Sequence, residues 1–114
     1  MVKIKRVYDP PSADDGKRIL VDRLWPRGLK KEKIKITEWL KDIAPSNEIR
    51  KWYGHEPSKW EEFKKRYAGE LESKPGMIER LRMEAAKGTV TLLFSSQETK
   101  LNNAAALKEI IDRR

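Results

Sequence analysis

Hydrophobic and polar positions change their period several times along this chain of 114 residues. From Val2 to Asp9, Val2, Ile4, Arg6 and Tyr8 alternate with Lys3, Lys5 and Val7, which predicts a strand with one face partly wet. Pro10-Pro11-Ser12 ends that strand, and Ala13-Asp14-Asp15-Gly16 predicts a polar turn. Ile19-Leu20-Val21 predicts a short buried strand that continues into Asp22-Arg23-Leu24. Trp25-Pro26-Arg27-Gly28 then requires a loop, because the proline disfavours helix before it and the glycine permits a sharp turn. Lys30 to Ala44 fits neither period cleanly. Its Ile34, Ile36, Trp39, Leu40 and Ile43 are read as a short helix and then a strand near Trp39 to Ile43.

The second half is more regular. Ser46 is suited to cap a helix through Tyr53, closed by Gly54. Pro57 opens a helix whose Trp60, Phe63, Tyr67 and Leu71 recur on one face. Pro75 opens another, with Ile78, Leu81 and Ala85 inward and Gly88 beyond its end. Thr89 to Phe94 is too short and β-branched for a helix and predicts a central strand. Asn102 or Asn103 caps a last helix carrying Leu107, Ile110 and Ile111. Strands alternating with helices predict an α/β fold. Residues 1–114 are read as a single small domain, a mostly parallel sheet of about four strands covered by helices on both faces. Ligands of such sheets sit beyond the carboxyl ends of the strands. Applied here, that rule gathers Tyr8-Asp9, Asp22 to Gly28, Ser95-Ser96-Gln97 and Asn102-Asn103 at one edge.

Composition narrows the chemistry. Cysteine is absent, which removes disulfides, thiol nucleophiles and cysteine-based metal sites. Four Trp and three Tyr argue against disorder despite a charged fraction of 39%. The longest apolar run is far short of a membrane span, and the charged N-terminus lacks the apolar segment of a signal peptide. A cytoplasmic protein with no membrane association is the expectation. The first 35 residues hold eleven Lys or Arg against five acids, a net +6 of the chain's +8. This excess either marks a basic face or is spread for solubility.

No glycine-rich phosphate loop, HExxH or nucleophile elbow is present, and no cofactor is expected. Asp9, Asp14, Asp15 and Asp22 could together hold magnesium, though acids beside turns are usually solvated, and no metal is expected. His55 is the only histidine. It either makes a backbone hydrogen bond at a helix junction or exchanges protons near neutral pH. Arg23 and Arg27 flank Leu24-Trp25-Pro26 and follow Asp22. Guanidinium forks hold phosphates and carboxylates bidentately, with Asp22 able to orient one of them. The alternative is a structural Asp–Arg bridge with Trp25 as a lid over the core. Ser95 and Ser96 could donate to the same anion or simply form a turn.

Val21-Asp22-Arg23-Leu24-Trp25-Pro26-Arg27-Gly28, Trp39 with Ala44-Pro45-Ser46, and then Trp52, His55, Trp60, Phe63, Tyr67 and Thr91-Leu92-Leu93 together resemble the YeaO-like family. That family is a short branch of a bacterial and archaeal domain-of-unknown-function family. The resemblance runs nearly end to end and implies a cytoplasmic α/β protein without an established substrate. It further implies that longer relatives carry a Cys-His-Arg segment where this chain has Asn102-Asn103-Ala104, so thiol chemistry there has no counterpart here. Close relatives carry histidine where this chain has Asn103, which weakens an acid–base role at that position. An octamer built on two arginines and a tryptophan favours the anion site.

Three functions remain open. One is an enzyme or binder of a phosphate- or carboxylate-bearing small molecule. Arg23, Arg27, Trp25, Tyr8, Ser95 and Ser96 would hold the anion, and His55 or Asp22 would move a proton. Another is a weak, sequence-independent nucleic-acid module with Trp25 and Tyr8 as stacking platforms. The third is an interaction domain without a ligand. A deep pocket at the strand ends favours the first, and a flat basic face with exposed aromatics the second. Oligomeric state is not legible.

Overall fold

Four short strands form one all-parallel sheet in the computed structural model, which describes residues 1–113. They are β1 (Val2–Arg6), β2 (Lys17–Leu20), β3 (Glu38–Trp39) and β4 (Val90–Phe94), in the order β1-β4-β2-β3. The last strand in the chain therefore lies between the first two. Its register runs from Val2 opposite Val90 to Arg6 opposite Phe94 on one side, and from Lys17 opposite Val90 to Leu20 opposite Leu93 on the other. Every residue of β4 is buried, as the β-branched, apolar run predicts for a strand flanked on both edges. The helices are α1 (Lys31–Ile34), α2 (Asn47–Tyr53), α3 (Trp60–Leu71), α4 (Pro75–Lys87) and α5 (Asn103–Asp112). This is an α/β fold.

The two faces of the sheet are unequal. Val90, Leu92 and Phe94 join Ile19, Val21, Tyr53, Phe63, Tyr67, Leu81 and Leu107 in a large core to which α2 to α5 contribute. Leu93 points the other way, with Val7, Leu20 and Ile34, and only α1 and neighbouring loops cover that side through Trp25, Leu29, Ile36 and Trp39. The caps follow their sequence signals. The Ser46 hydroxyl accepts the Ile49 N–H at 3.2 Å, and Gly54 ends α2 in the left-handed region at φ 54°. The Asn102 side chain accepts the Ala105 N–H at 2.9 Å at the start of α5. Phe63, Tyr67 and Leu71 are buried along α3 as expected, while Trp60 at its first position is only partly so.

Three elements differ from their sequence expectations. β1 stops at Arg6, because the Asp9 N–H turns back to the Arg6 carbonyl at 3.0 Å. β2 ends at Leu20, short of Asp22-Arg23-Leu24. The strand expected near Trp39 to Ile43 is the pair Glu38–Trp39 followed by a 3-10 turn over Lys41–Ile43. Its cause is the end of β2. The Leu40 N–H takes the Leu20 carbonyl at 2.9 Å, β2 offers no further partner, and the Ile43 N–H closes on the Leu40 carbonyl instead.

The polar turn before β2 is also more than a turn. Ala13–Asp15 forms a 3-10 turn capped by Ser12, and Asp15 is buried rather than solvated. Its carboxylate accepts from the Ser12 N–H, from Lys5 at 3.1 Å and from Arg18. Gly16 lets this knot sit against the sheet. It has φ 62°, and a Cβ there would lie 2.1 Å from the Thr89 carbonyl oxygen.

Candidate functional site

Because all four strands run the same way, their carboxyl ends open on one side. A cavity of about 360 Å³ lies there. Tyr8, Asp22, Arg23, Trp25, Arg27, Ser95, Ser96 and His55 all line it, so the structure brings together the residues given a catalytic or anion-binding role from the sequence. Asn102 and Asn103 contribute the start of α5, whose N–H groups present the positive end of a helix dipole. Asp9, Gly28 and Gln97 do not line it. Arg50, Tyr53, Phe63, Ala44 and Pro45 do, and the sequence reading missed them. Ala44-Pro45 belongs to the motif that carried the family resemblance. Arg50 and Tyr53 had only their places in the last turn of α2, and the ring of Phe63 read simply as core.

Asp22 organises the floor. One carboxylate oxygen accepts the Ser95 N–H at 2.8 Å and the Ser95 hydroxyl at 2.7 Å, and the other accepts the Asn103 amide at 3.0 Å. The same amide nitrogen of Asn103 donates to the Val21 carbonyl at 3.1 Å. The ends of β2 and β4 and the start of α5 are thereby tied through one side chain. Asp22 was expected to orient or bridge an arginine. Among the described residues it pairs with neither Arg23 nor Arg27, because the Ser95 and Asn103 donors already claim its oxygens.

The loop after Asp22 is held from three directions. The Trp39 indole donates to the Asp22 carbonyl at 2.7 Å, the Trp25 indole to the Leu29 carbonyl at 2.7 Å, and the Tyr8 hydroxyl to the Arg27 carbonyl at 2.9 Å. Trp25 packs edge-on against Trp39 with ring centroids 5.3 Å apart, which turns it toward the small core. Gly28, at φ 80°, supplies the sharp reversal expected of it. Arg6 stacks over Tyr8 at 5.0 Å and donates to the carbonyls of Ser95 and Ser96, fixing the opposite rim.

The arginines of the cavity are not fully satisfied. Arg23 is half-buried and gives one Nη2 bond to the Ala44 carbonyl at 3.1 Å, while its Nε is buried without a partner. Arg27 is exposed, and its guanidinium makes no hydrogen bond or ion pair among the described residues. Among the described residues Arg50 reaches only the Asn47 side chain, at 3.2 Å. These three guanidiniums face one carboxylate, Asp22, so the lining carries a net positive charge. Ser96 accepts the Glu98 N–H at 3.0 Å.

Titratable groups at the rim follow their surroundings. Burial, and then the charge of Glu98, pushes the Tyr53 hydroxyl above its ordinary value. It therefore remains a donor, to the Leu101 carbonyl at 2.9 Å. The N–H groups of Lys100 and Leu101 hold the Glu98 carboxyl below its usual value, with the nearby His55 adding to the effect. His55 sits in the left-handed region at φ 58° at the junction after α2 and makes no hydrogen bond among the described residues, so the junction bond considered for it is not formed. Asp9, Asp14, Asp15 and Asp22 do not converge. Asp15 is spent on Lys5 and Arg18, and no group of three or more His, Asp or Glu among the described residues could hold a metal ion. No helix of the described residues is long and apolar enough to cross a membrane.

A parallel α/β sheet whose strand ends open on an arginine-lined cavity is the class this chain falls into. Within that class the chain belongs to the family described as the inactive DUF488-N3 subclade, whose model matches residues 1–114. It is similar to the uncharacterized protein YeaO of Escherichia coli, 44% identical over 108 residues that cover 95% of this chain and 94% of that one. Uncharacterized proteins of Mycobacterium tuberculosis and Mycobacterium bovis are each 38% identical over 113 residues, covering 99% of this chain and 95% of theirs. No solved structure matches the chain at a significant level.

Proposed function

We propose that this protein binds an anionic small molecule, bearing a phosphate or carboxylate, in the cavity at the strand ends. The observation that carries the reading is the pairing of Arg23 and Arg27 in one cavity lining, since Arg23 makes one bond, from Nη2 to the Ala44 carbonyl, and the Arg27 guanidinium makes none among the described residues. Donors in a cavity that find no acceptor within the chain are met by water or by a ligand. Guanidinium donors match the oxygens of phosphates and carboxylates. Asp22, Ser95 and Asn103 act as the frame that holds the arginine loop against β4 and α5, and Ser96 and His55 stand at the rim as hydrogen-bonding groups. The closed ring of bonds around Asp22, together with the family's description as inactive, supports binding rather than a reaction step.

A concave site supports a small molecule over nucleic acid. Trp25, needed there as a stacking platform, is packed against Trp39 and bonded to Leu29. The test is the melting temperature of wild type and Arg23→Gln in rising phosphate or sulfate, at constant ionic strength set with chloride. A ligand that binds only the native state raises stability by RT ln(1 + [L]/Kd), so the wild type should gain and the variant should not. Equal gains in both proteins would refute an anion site at Arg23.

A further inference from the structure

The size, wall chemistry and charge of the cavity say what kind of anion it fits. Resting on the anion-binding reading above, we infer that the ligand is a phosphomonoester carried on an aromatic body. Volume comes first. Inorganic phosphate, equivalent to a few waters at roughly 30 Å³ each, would leave more than half of a cavity of about 360 Å³ empty. Ligand sites are commonly filled by the whole of a small molecule, with a few polar groups fixing one end.

The wall supplies the second argument. Most of the cavity surface is carbon, and the exposed rings in it are those of Tyr8 and His55, backed by the buried rings of Tyr53 and Phe63. The polar atoms of these side chains are largely spent elsewhere. The hydroxyl of Tyr53 goes to Leu101 and that of Tyr8 to Arg27. What they offer a ligand is ring surface. Flat aromatic groups pack against such rings in stacked or edge-on geometry with a gain beyond area alone.

Charge supplies the third. Arg23, Arg27 and Arg50 against Asp22 leave an excess of two positive charges in the lining. A phosphomonoester carries about −1.5 to −2 at neutral pH, whereas a carboxylate carries one charge. The dianion is the better match. Ligand-accepting groups are scarce, since the Asn103 amide and the Ser95 hydroxyl are both donated to Asp22. The free donors belong mainly to the arginines, with the Ser96 hydroxyl and the His55 ring beside them.

Isothermal titration at constant ionic strength with inorganic phosphate, phenyl phosphate, benzoate and a nucleoside 5′-monophosphate tests this. Phenyl phosphate should bind about tenfold more tightly than inorganic phosphate, the upper range of one aromatic pair. It should also exceed benzoate, and Arg50→Gln should narrow that second gap. Arg50 is exposed and bonded only to Asn47, so this substitution leaves the core untouched. The nucleotide arm tells whether the aromatic body is a base or a simple ring. Tighter binding than phenyl phosphate means a base, weaker binding a simple ring, and both are aromatic phosphomonoesters. If inorganic phosphate binds within about threefold of phenyl phosphate, the aromatic body is refuted while the anion site stands. Benzoate equal to or tighter than phenyl phosphate refutes the dianion. No binding of any anion overturns this inference and the proposed function together.

Discussion

Arg18 and Arg23 stand five positions apart, on and just after the same strand, and meet opposite fates. Arg18 is buried and fully engaged. Its Nη1 pairs with Asp15, its Nη2 donates to the Ile34 carbonyl at 2.9 Å, and its Nε is shared between Ile34 and Lys35. Arg23 has one carbonyl and an orphaned Nε. The contrast gives a criterion for telling a structural arginine from a binding one: not how deeply the side chain lies, but whether the chain itself supplies acceptors for its donors. The Arg18 knot joins β2 to α1 and, through Lys5 and Thr91, to β1 and β4. Arg23 and its companions Arg27 and Arg50 leave donors facing a cavity.

The largest effect should come from breaking the satisfied side of this comparison. Arg18→Ala leaves the buried Asp15 carboxylate with only Lys5 and the Ser12 N–H and strips the Ile34 carbonyl of its donor. Removing one partner of a buried pair costs about 3–5 kcal/mol. Phe63→Ala, which opens a hole beside Tyr53 and Tyr67 in the large core, should cost about the same, roughly 3–5 kcal/mol. Urea midpoints with unchanged slope would measure both. A loss under about 1 kcal/mol for Arg18→Ala would mean that the knot is dispensable and the criterion wrong.

The same knot carries a pH signature. Burial alone would raise the Asp15 carboxyl, but the bonds from Ser12, Lys5 and Arg18 and the charge of Lys5 outweigh it and hold the group below its ordinary 3.8. A group lowered on folding stabilises the protein above its unfolded value and loses that contribution as pH falls toward the lower folded value. Stability should therefore decline on acidification below about pH 4. In Asp15→Asn the decline should be shallower, so the gap between the two proteins narrows as the pH drops. Urea midpoints from pH 7 to pH 3 would follow it, and parallel curves would show that Asp15 is not the group responsible.

Asp22→Ala should have an intermediate effect. Ser95 loses the acceptor for its N–H and hydroxyl, and Asn103 loses one of two acceptors for its amide. Leaving such groups unmet costs about 1–3 kcal/mol, with the lower part of the range expected because the site is open to water. Since the carboxylate also ties the arginine loop to β4 and α5, anion binding should weaken as well. Undiminished binding with lowered stability would separate the frame from the site.

These residues also show how far the sequence could be read. The parallel sheet, the caps at Ser46 and Asn102 and the meeting of Tyr8, Asp22 to Arg27 and Ser95-Ser96 follow from local periods and one topological rule. Asp15 was misjudged because a turn rich in acids reads as solvated. Its burial depends on Lys5 and Arg18 arriving from two strands, which no local pattern records. Asp22 beside Arg23 read as an orienting partner or a bridge for an arginine for a similar reason: adjacency in sequence hid the fact that Ser95 and Asn103, from far along the chain, reach the carboxylate first. Arg50, Tyr53 and Phe63 were missed as site residues because a helix that serves the core with one edge can serve a cavity with another. Long-range partners, not residue types, decided each case.

The smallest effect on stability should accompany the largest effect on binding. Arg27 is exposed, and its one link to the rest of the structure runs through its backbone carbonyl, which Tyr8 holds at 2.9 Å. Arg27→Ala keeps that carbonyl and removes only a guanidinium with no partner among the described residues. Its loss should shift stability by no more than about 0.5 kcal/mol, the range of surface substitutions away from special features. The stabilisation that phosphate gives the wild type should shrink or vanish in the variant, because that increment depends only on the affinity of the native state. Melting curves of both proteins with and without phosphate, at one ionic strength, separate the two quantities. Should Arg27→Ala unfold as readily as Arg18→Ala, Arg27 would be structural after all, and the distinction between met and unmet donors would fail at the residue where it is drawn most sharply.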